Sequence, residues 1–223
     1  MNFEEFVLAA SVSDLGAEAR ARDHADAVEF RMDLADDPLS ALDDYDGDLP
    51  VLATNRAAWE GGEADDDSER LAALAEAAEL ACVGAVDVEL ASLTAGEGDR
   101  VAERARRTGT AVVASVHDFE RTPPEAELRA KLSDATDRAD VGKLAVTADS
   151  RGDVLDLLAV THEFASAGER VATMAMGEAG RHSRAVAPLY GSRIGYAPVE
   201  PEEATAPGQY DLETLSRLVG ELE

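Results

Sequence analysis

The chain has 223 residues, 45 % of them apolar, and a formal net charge of −27 from 47 acidic against 20 basic side chains. That length suits one domain with a sizeable core, the apolar fraction excludes a disordered acidic tail, and the charge disfavours nucleic acid and anionic membranes as partners. No apolar run approaches the roughly 20 residues that cross a bilayer, the opening MNFEEFVLAA has no basic leader, and the lone Cys82 cannot form an internal disulfide, so a reducing cytoplasm is the expected location.

Acid is spread along the whole chain, as in Asp36-Asp37, Asp43-Asp44 and Asp65-Asp66-Asp67, while lysine occurs only at positions 131 and 143. A surface this negative strains the compact state unless salt screens it. The pattern fits a halophilic protein from a salt-filled cytoplasm, with folding that depends on molar salt.

In chain order, residues 6–12 read as a first strand, followed by a helix over 14–24 with Ser13 or Asp14 as its cap. A strand at 27–33 leads to a short helix at 38–44. The strand at 50–56 precedes a helix at 66–82, where Leu71, Leu74, Ala78 and Cys82 recur at helical spacing. A strand at 85–90 is followed by a helix at 97–108 that stops at Gly109, and a strand at 111–117 by a helix at 124–138 that opens on Pro-Pro-Glu. The strand at 141–146 precedes a helix at 149–167, and the strand at 170–176 a helical stretch at 183–190 interrupted by Pro188. A strand at 192–197 and a helix at 211–222 close the chain.

Most of these strands lack polar alternation, the mark of strands buried on both faces of a parallel sheet. Eight strand–helix units fit a closed barrel or an open doubly wound sheet. The turn after the first strand, Ser11-Val12-Ser13-Asp14-Leu15-Gly16, lacks the glycine pattern of a phosphate-binding open sheet. No repeat or linker marks a second domain. The expectation is a single (β/α)8 TIM barrel over residues 1–223.

In such a barrel the site lies at the C-terminal ends of the strands. Those ends here carry Glu29 and Arg31, Asn55 and Arg56, Asp87 and Glu89, Ser115 and His117, Lys143, and Met174 and Met176. Lys143 stands in an apolar strand of a chain that otherwise avoids lysine. An ammonium buried there is costly unless paired or deprotonated, and a desolvated amine is a nucleophile toward carbonyls. A strand-end lysine paired with a carboxylate is the more economical reading of its position alone. His117 is a candidate general acid and base beside such an amine; His24, His162 and His182 read as structural or solvated. Arg31, Arg56 and Arg184 point to an anionic substrate, or else neutralise Glu29, Glu60, Asp87 and Glu89. No His, Cys or carboxylate spacing amounts to a metal site, and Asp87-x-Glu89 is a weak hint of one.

The ordered set of motifs is more specific than any member. Glu29-Phe30-Arg31, Thr54-Asn55-Arg56 with Glu60-Gly61-Gly62-Glu63, Val86-Asp87-Val88-Glu89, Ser115-Val116-His117-Asp118-Phe119, Lys143-Leu144-Ala145, Thr173-Met174-Ala175-Met176-Gly177 with Ser183-Arg184, Tyr190-Gly191-Ser192 and Ala206-Pro207-Gly208-Gln209 follow one another from about residue 6 to the end. In these the chain resembles the type I 3-dehydroquinate dehydratases, lyases of the shikimate pathway that form a Schiff base and serve aromatic amino acid biosynthesis. The resemblance implies that Lys143 forms an imine with the C3 ketone of 3-dehydroquinate. His117 is then base and acid in a syn elimination of water, with Glu60 orienting it. It implies substrate binding by Arg184, by Ser11, Glu29, Arg31 and Arg56, by an apolar wall of Met174 and Met176, and by Thr205 and Gln209 on a closing loop. It further implies no cofactor, no metal and a homodimer. Three places depart from the pattern: Tyr196 replaces a usual phenylalanine, Thr205 a usual serine, and the N-terminus is short, so that the bottom-capping hairpin of longer relatives is expected to be absent. A Schiff-base aldolase and a non-catalytic barrel that binds a small carboxylate are the competing readings; turnover of 3-dehydroquinate separates them.

Overall fold

A computed structural model describes residues 1–203 and 208–222. Eight strands, β1 Val7–Val12, β2 Ala27–Arg31, β3 Val51–Thr54, β4 Val83–Glu89, β5 Ala111–Asp118, β6 Val141–Thr147, β7 Val171–Met176 and β8 Ile194–Pro198, form one sheet in the order β7-β6-β5-β4-β3-β2-β1-β8, and every hydrogen-bonded pair is parallel. Between β7 and β8 the link is an isolated parallel bridge, Val171 with Ser192. There the Arg193 N–H donates to Val171 O at 2.7 Å, and the Ser192 hydroxyl accepts the Thr173 N–H at 2.9 Å, a side chain standing in for a strand carbonyl. The expected barrel is therefore the observed one.

The helices α1 Glu18–Ala21, α2 Pro38–Asp43, α3 Asp67–Ala77, α4 Leu90–Ala95, α5 Asp99–Thr108, α6 Glu125–Thr136, α7 Arg151–Ser166, α8 Gly177–Gly180, α9 Ser183–Val186 and α10 Leu212–Leu222 run between and after the strands. Local chemistry sets their ends. Asp66 accepts the Glu69 N–H to start α3, and Ser150 and Asp153 make a reciprocal capping box at α7. Gly109 takes φ +78° to stop α5.

Several expected elements are shorter than their sequence pattern, among them the helix at 66–82, which ends at Ala77, and the strand at 50–56, which ends at Thr54. The stretch 14–24 divides into a 3-10 turn over 15–17, capped by Asp14, and the single turn α1. There the Glu18 carboxylate is buried and accepts from Arg22 and from the Leu49 N–H. The strand expected at 27–33 ends at Arg31, because a 3-10 turn over 32–34 folds Asp33 back onto the Arg31 guanidinium. The stretch 183–190 is helical only to Val186, and a 3-10 turn carries Pro188.

Strands buried on both faces make two kinds of core. Ala9, Leu52, Ala85, Val113, Val141, Ala172 and Ile194 point inward and fill the barrel, while Val28, Phe30, Val86, Val112, Leu144 and Val146 point outward against the helices. Phe3 joins the inward set at 1 % exposure, and the Met1 ammonium donates to Gly84 O at 3.1 Å, so the N-terminal segment stops the barrel floor where the strands begin. The small inward residues leave the upper layer to polar groups. The register places Ser115 beside Lys143 and Thr54 beside Asp87, which sets the geometry of the mouth.

Candidate active site

Lys143 comes from the middle of β6 and points into the barrel, 4 % exposed. Its Nζ donates to Asp87 Oδ2 at 2.9 Å and lies 4.2 Å from the ring centroid of Tyr196 on β8. Asp87 Oδ1 accepts from Arg56 Nη2 at 2.7 Å and from Ser115 Oγ at 2.6 Å. Burial opposes ionisation of Asp87, but Arg56 and Lys143 outweigh it and hold the carboxyl well below the usual carboxylate range.

His117, near the end of β5, faces the same cavity. Its Nδ1 lies 2.8 Å from Oε1 of Glu60, and that oxygen also accepts the His117 backbone N–H at 3.0 Å. The imidazole stacks on Phe119, centroids 5.8 Å apart and planes 10° from parallel. Burial, with the positive charges of Arg56 and Lys143, pushes His117 well below its ordinary value. Burial also pushes the Glu60 carboxyl up to about 7, against the pull of Arg56. A neutral imidazole facing an ionised Glu60 carries its proton on Nδ1 and leaves the Nε2 lone pair free, the form a general base requires.

The remaining expected residues line or support this cavity. Glu29 accepts from Ser11 Oγ at 2.6 Å and from Thr54 Oγ1 at 3.1 Å, so the Ser11 hydroxyl is turned to Glu29 and orients it. Arg31 grips Asp33 in a two-pronged pair, at 2.9 and 2.6 Å. Arg184 reaches in from α9, 5 % exposed, and burial brings its guanidinium down to about 10. Met174, Met176, Ala145 and Gln209 complete the wall. Thr205 lies outside the described residues.

Sequence reasoning offered Asp87 and Glu89 as carboxylates neutralised by arginines, which is how Arg56 meets both, and missed Arg70. Asp87 and Glu89 hold no metal-like arrangement here; their oxygens are taken up by cations. Glu89 Oε1 accepts from Arg56 at 3.0 Å, and Oε2 accepts from Arg70 at 2.7 Å. Among the described residues no group of three or more His, Cys, Asp or Glu is placed to hold a metal ion. Arg70 comes from α3, outside the barrel wall, and gave no signal at a strand end. Phe119 was legible only as a motif letter; its contact with His117 requires the fold.

Comparison with known proteins places this mouth in context. The family model described as type I 3-dehydroquinase matches residues 6–222. The chain belongs to the type I 3-dehydroquinases. It is 58 % identical over 226 residues to the 3-dehydroquinate dehydratase of Haloarcula marismortui, covering 100 % of this chain and 99 % of that protein. Among solved structures it resembles the 3-dehydroquinate dehydratase of Geobacillus kaustophilus, with a TM-score of 0.86, 28 % identity and coverage of 98 % of this chain and 91 % of that one. It also resembles the type I enzyme of Clostridium difficile determined with covalently modified comenic acid, with a TM-score of 0.85, 26 % identity and coverage of 98 % and 92 %. Type I 3-dehydroquinase membership accords with the barrel and with the lysine and histidine facing one cavity.

Proposed function

We propose that this chain dehydrates 3-dehydroquinate to 3-dehydroshikimate through an imine on Lys143, with His117 as the proton carrier. The observation that carries the reading is the meeting of two groups in one cavity: a buried lysine Nζ and an imidazole whose charged form is disfavoured by burial and by Arg56 and Lys143. The reaction itself follows from family membership; the assignment of residues rests on this geometry.

The substrate is a β-hydroxy ketone, and the proton at C2 is only weakly acidic beside a neutral carbonyl. Lys143 in its amine form attacks the C3 carbonyl, and the oxygen leaves as water to give a protonated imine, a stronger electron sink. Nε2 of His117 then takes the C2 proton, and the electron pair moves into the C–N system as an enamine. The imidazolium so formed gives that proton to the hydroxyl leaving C1. Because one group serves both ends, loss of water is syn. A second water hydrolyses the conjugated imine, freeing 3-dehydroshikimate and the Lys143 amine. Arg184 holds the substrate carboxylate, its charge undiluted by solvent. Glu29 and Arg31 face the ring hydroxyls, Arg56 orders the pocket through Asp87 and Glu89, and Met174 and Met176 cover the apolar edge.

The test is incubation with 3-dehydroquinate in molar potassium chloride, borohydride reduction, and mapping of the adduct by mass spectrometry. Reduction at Lys143, absent in Lys143→Ala, supports the assignment. A folded protein that gives no adduct overturns it and favours the carboxylate-binding barrel. One catalytic barrel spanning the chain, a homodimer, and a cytoplasmic site of action are inferred with it from the family resemblance. Light scattering in molar salt reads the second of these.

A further inference from the structure

Five buried side chains of alternating charge run end to end beneath the cavity. Arg70 Nη1 donates to Glu89 Oε2 at 2.7 Å, and Arg56 Nη1 donates to Glu89 Oε1 at 3.0 Å. Arg56 Nη2 donates to Asp87 Oδ1 at 2.7 Å, and Lys143 Nζ donates to Asp87 Oδ2 at 2.9 Å. All five are buried, so water screens none of these links much. The file begins on α3, outside the barrel, and ends at the amine that reacts.

Arg70 is fixed on every side. Its Nε donates to Asp67 at 2.7 Å, Nη2 to Ser92 Oγ at 3.0 Å and Nη1 also to Asn55 O at 3.3 Å, while the guanidinium carbon lies 5.8 Å from the centre of the Trp59 ring. Asn55 returns a bond from Nδ2 to Arg70 O at 3.1 Å. Among the described residues its buried carboxylate partner is Glu89, whereas Asp67 is open to solvent.

We propose that Arg70 is a positioning residue for the imine-forming step, acting through Glu89 and Arg56 to decide how firmly Asp87 holds the Lys143 ammonium. The inference rests on the Schiff-base reading above. With Arg70 present the file holds three cations and two anions. Without it, Glu89 draws Arg56 toward itself, Asp87 is left with Lys143 as its main cation, and one positive charge near the amine is lost. Each effect makes the ammonium harder to deprotonate, and only the amine attacks the ketone. The other charged or titratable groups facing this end of the pocket are Glu29 and Arg31 on β2, Glu60 after β3, His117 on β5, Arg184 on α9 and Tyr196 on β8, and all stay unchanged in the variants below.

The experiment measures, across pH and at fixed molar salt, the rate of borohydride-trappable adduct at Lys143 with 3-dehydroquinate. Arg70→Met is expected to move the acid limb of that profile upward by about one pH unit, a loss of about tenfold in rate below the limb. Arg70→Lys, which keeps the charge, leaves the limb near its original place even if it weakens the fold. Arg70→Met combined with Glu89→Gln removes one charge of each sign and brings the limb back. Folded Arg70→Met with an unmoved limb, or the same displacement in Arg70→Lys, overturns the proposal. Should Arg70→Met not fold, Glu89→Gln is measured alone: with that anion gone Arg56 turns wholly to Asp87 and the limb falls, so an unmoved or raised limb overturns the proposal. Absence of any adduct in the unaltered protein would instead count against the Schiff-base reading itself.

Discussion

Oε1 of Glu60 accepts two hydrogen bonds from one residue, from the His117 backbone N–H at 3.0 Å and from Nδ1 of its ring at 2.8 Å. The backbone bond fixes the carboxylate, and the fixed carboxylate selects the tautomer. With Glu60 raised to about 7 and His117 lowered, the productive pair of an ionised carboxylate and a neutral imidazole is present above pH 7 and lost as pH falls below it. The kcat/KM profile is expected to rise through about pH 7, and Glu60→Gln to abolish that limb. A limb that persists in Glu60→Gln assigns it to another group.

His117→Ala separates attachment from elimination. It removes the proton carrier and leaves Lys143 and Asp87 in place, so kcat falls by about 10²–10⁴-fold. Borohydride still traps an adduct on Lys143. Loss of trapping together with turnover would make His117 part of imine formation as well.

Asp87→Asn takes the central anion from between Arg56 and Lys143 and leaves two cations facing a neutral amide. Breaking a buried pair on one side costs about 3–5 kcal/mol. Since Arg56 and Lys143 lower the Asp87 carboxyl in the folded state, its contribution is present above the unfolded carboxylate range near 4 and is lost as pH falls below it. Denaturant titrations between pH 3 and 7 are expected to show a steep acid decline for the native protein and a shallower one, from a lower start, for the variant.

The Tyr196 hydroxyl is buried and has no hydrogen-bond partner among the described residues, although the face of its ring serves Lys143. An unpaired buried hydroxyl costs about 1–3 kcal/mol. Tyr196→Phe keeps the ring and is expected to raise the denaturation midpoint while turnover is retained. An unchanged or lower midpoint would show that the hydroxyl is satisfied in solution.

Salt acts on the surface and spares the site. Surface pairs such as Arg20–Glu200 and Arg217–Glu221 are open to solvent, and the 47 acidic residues outnumber what 20 basic ones can neutralise. Far-ultraviolet circular dichroism is expected to show unfolding in dilute buffer and recovery as potassium chloride approaches the molar range. A full signal in dilute buffer contradicts this.

The barrel was legible because strands buried on both faces leave little room for polar residues, so a lysine or arginine within them stands out. Lys143 and His117 were visible for that reason, and Arg56 because it follows the end of such a strand by two residues. Boundaries were less so: Asp33 reads as the end of a strand until its carboxylate is seen turned onto Arg31. Asp87-x-Glu89 resembled half a metal site because two acids two residues apart look the same whether a metal or a guanidinium lies between them. Arg70 was illegible, since a helix arginine beside Leu71 reads as a solvated edge and only the fold turns it inward.

Two lysines are few for a chain of 223 residues, and they differ in surroundings: Lys131 on α6 sits 3.6 Å from Glu127 and is partly open to solvent, whereas Lys143 is enclosed. Isotope enrichment of lysine alone would therefore yield a side-chain nuclear magnetic resonance spectrum with two signals. The exposed one supplies an internal reference, and the other reports directly on the reacting nitrogen during turnover, without any engineered label.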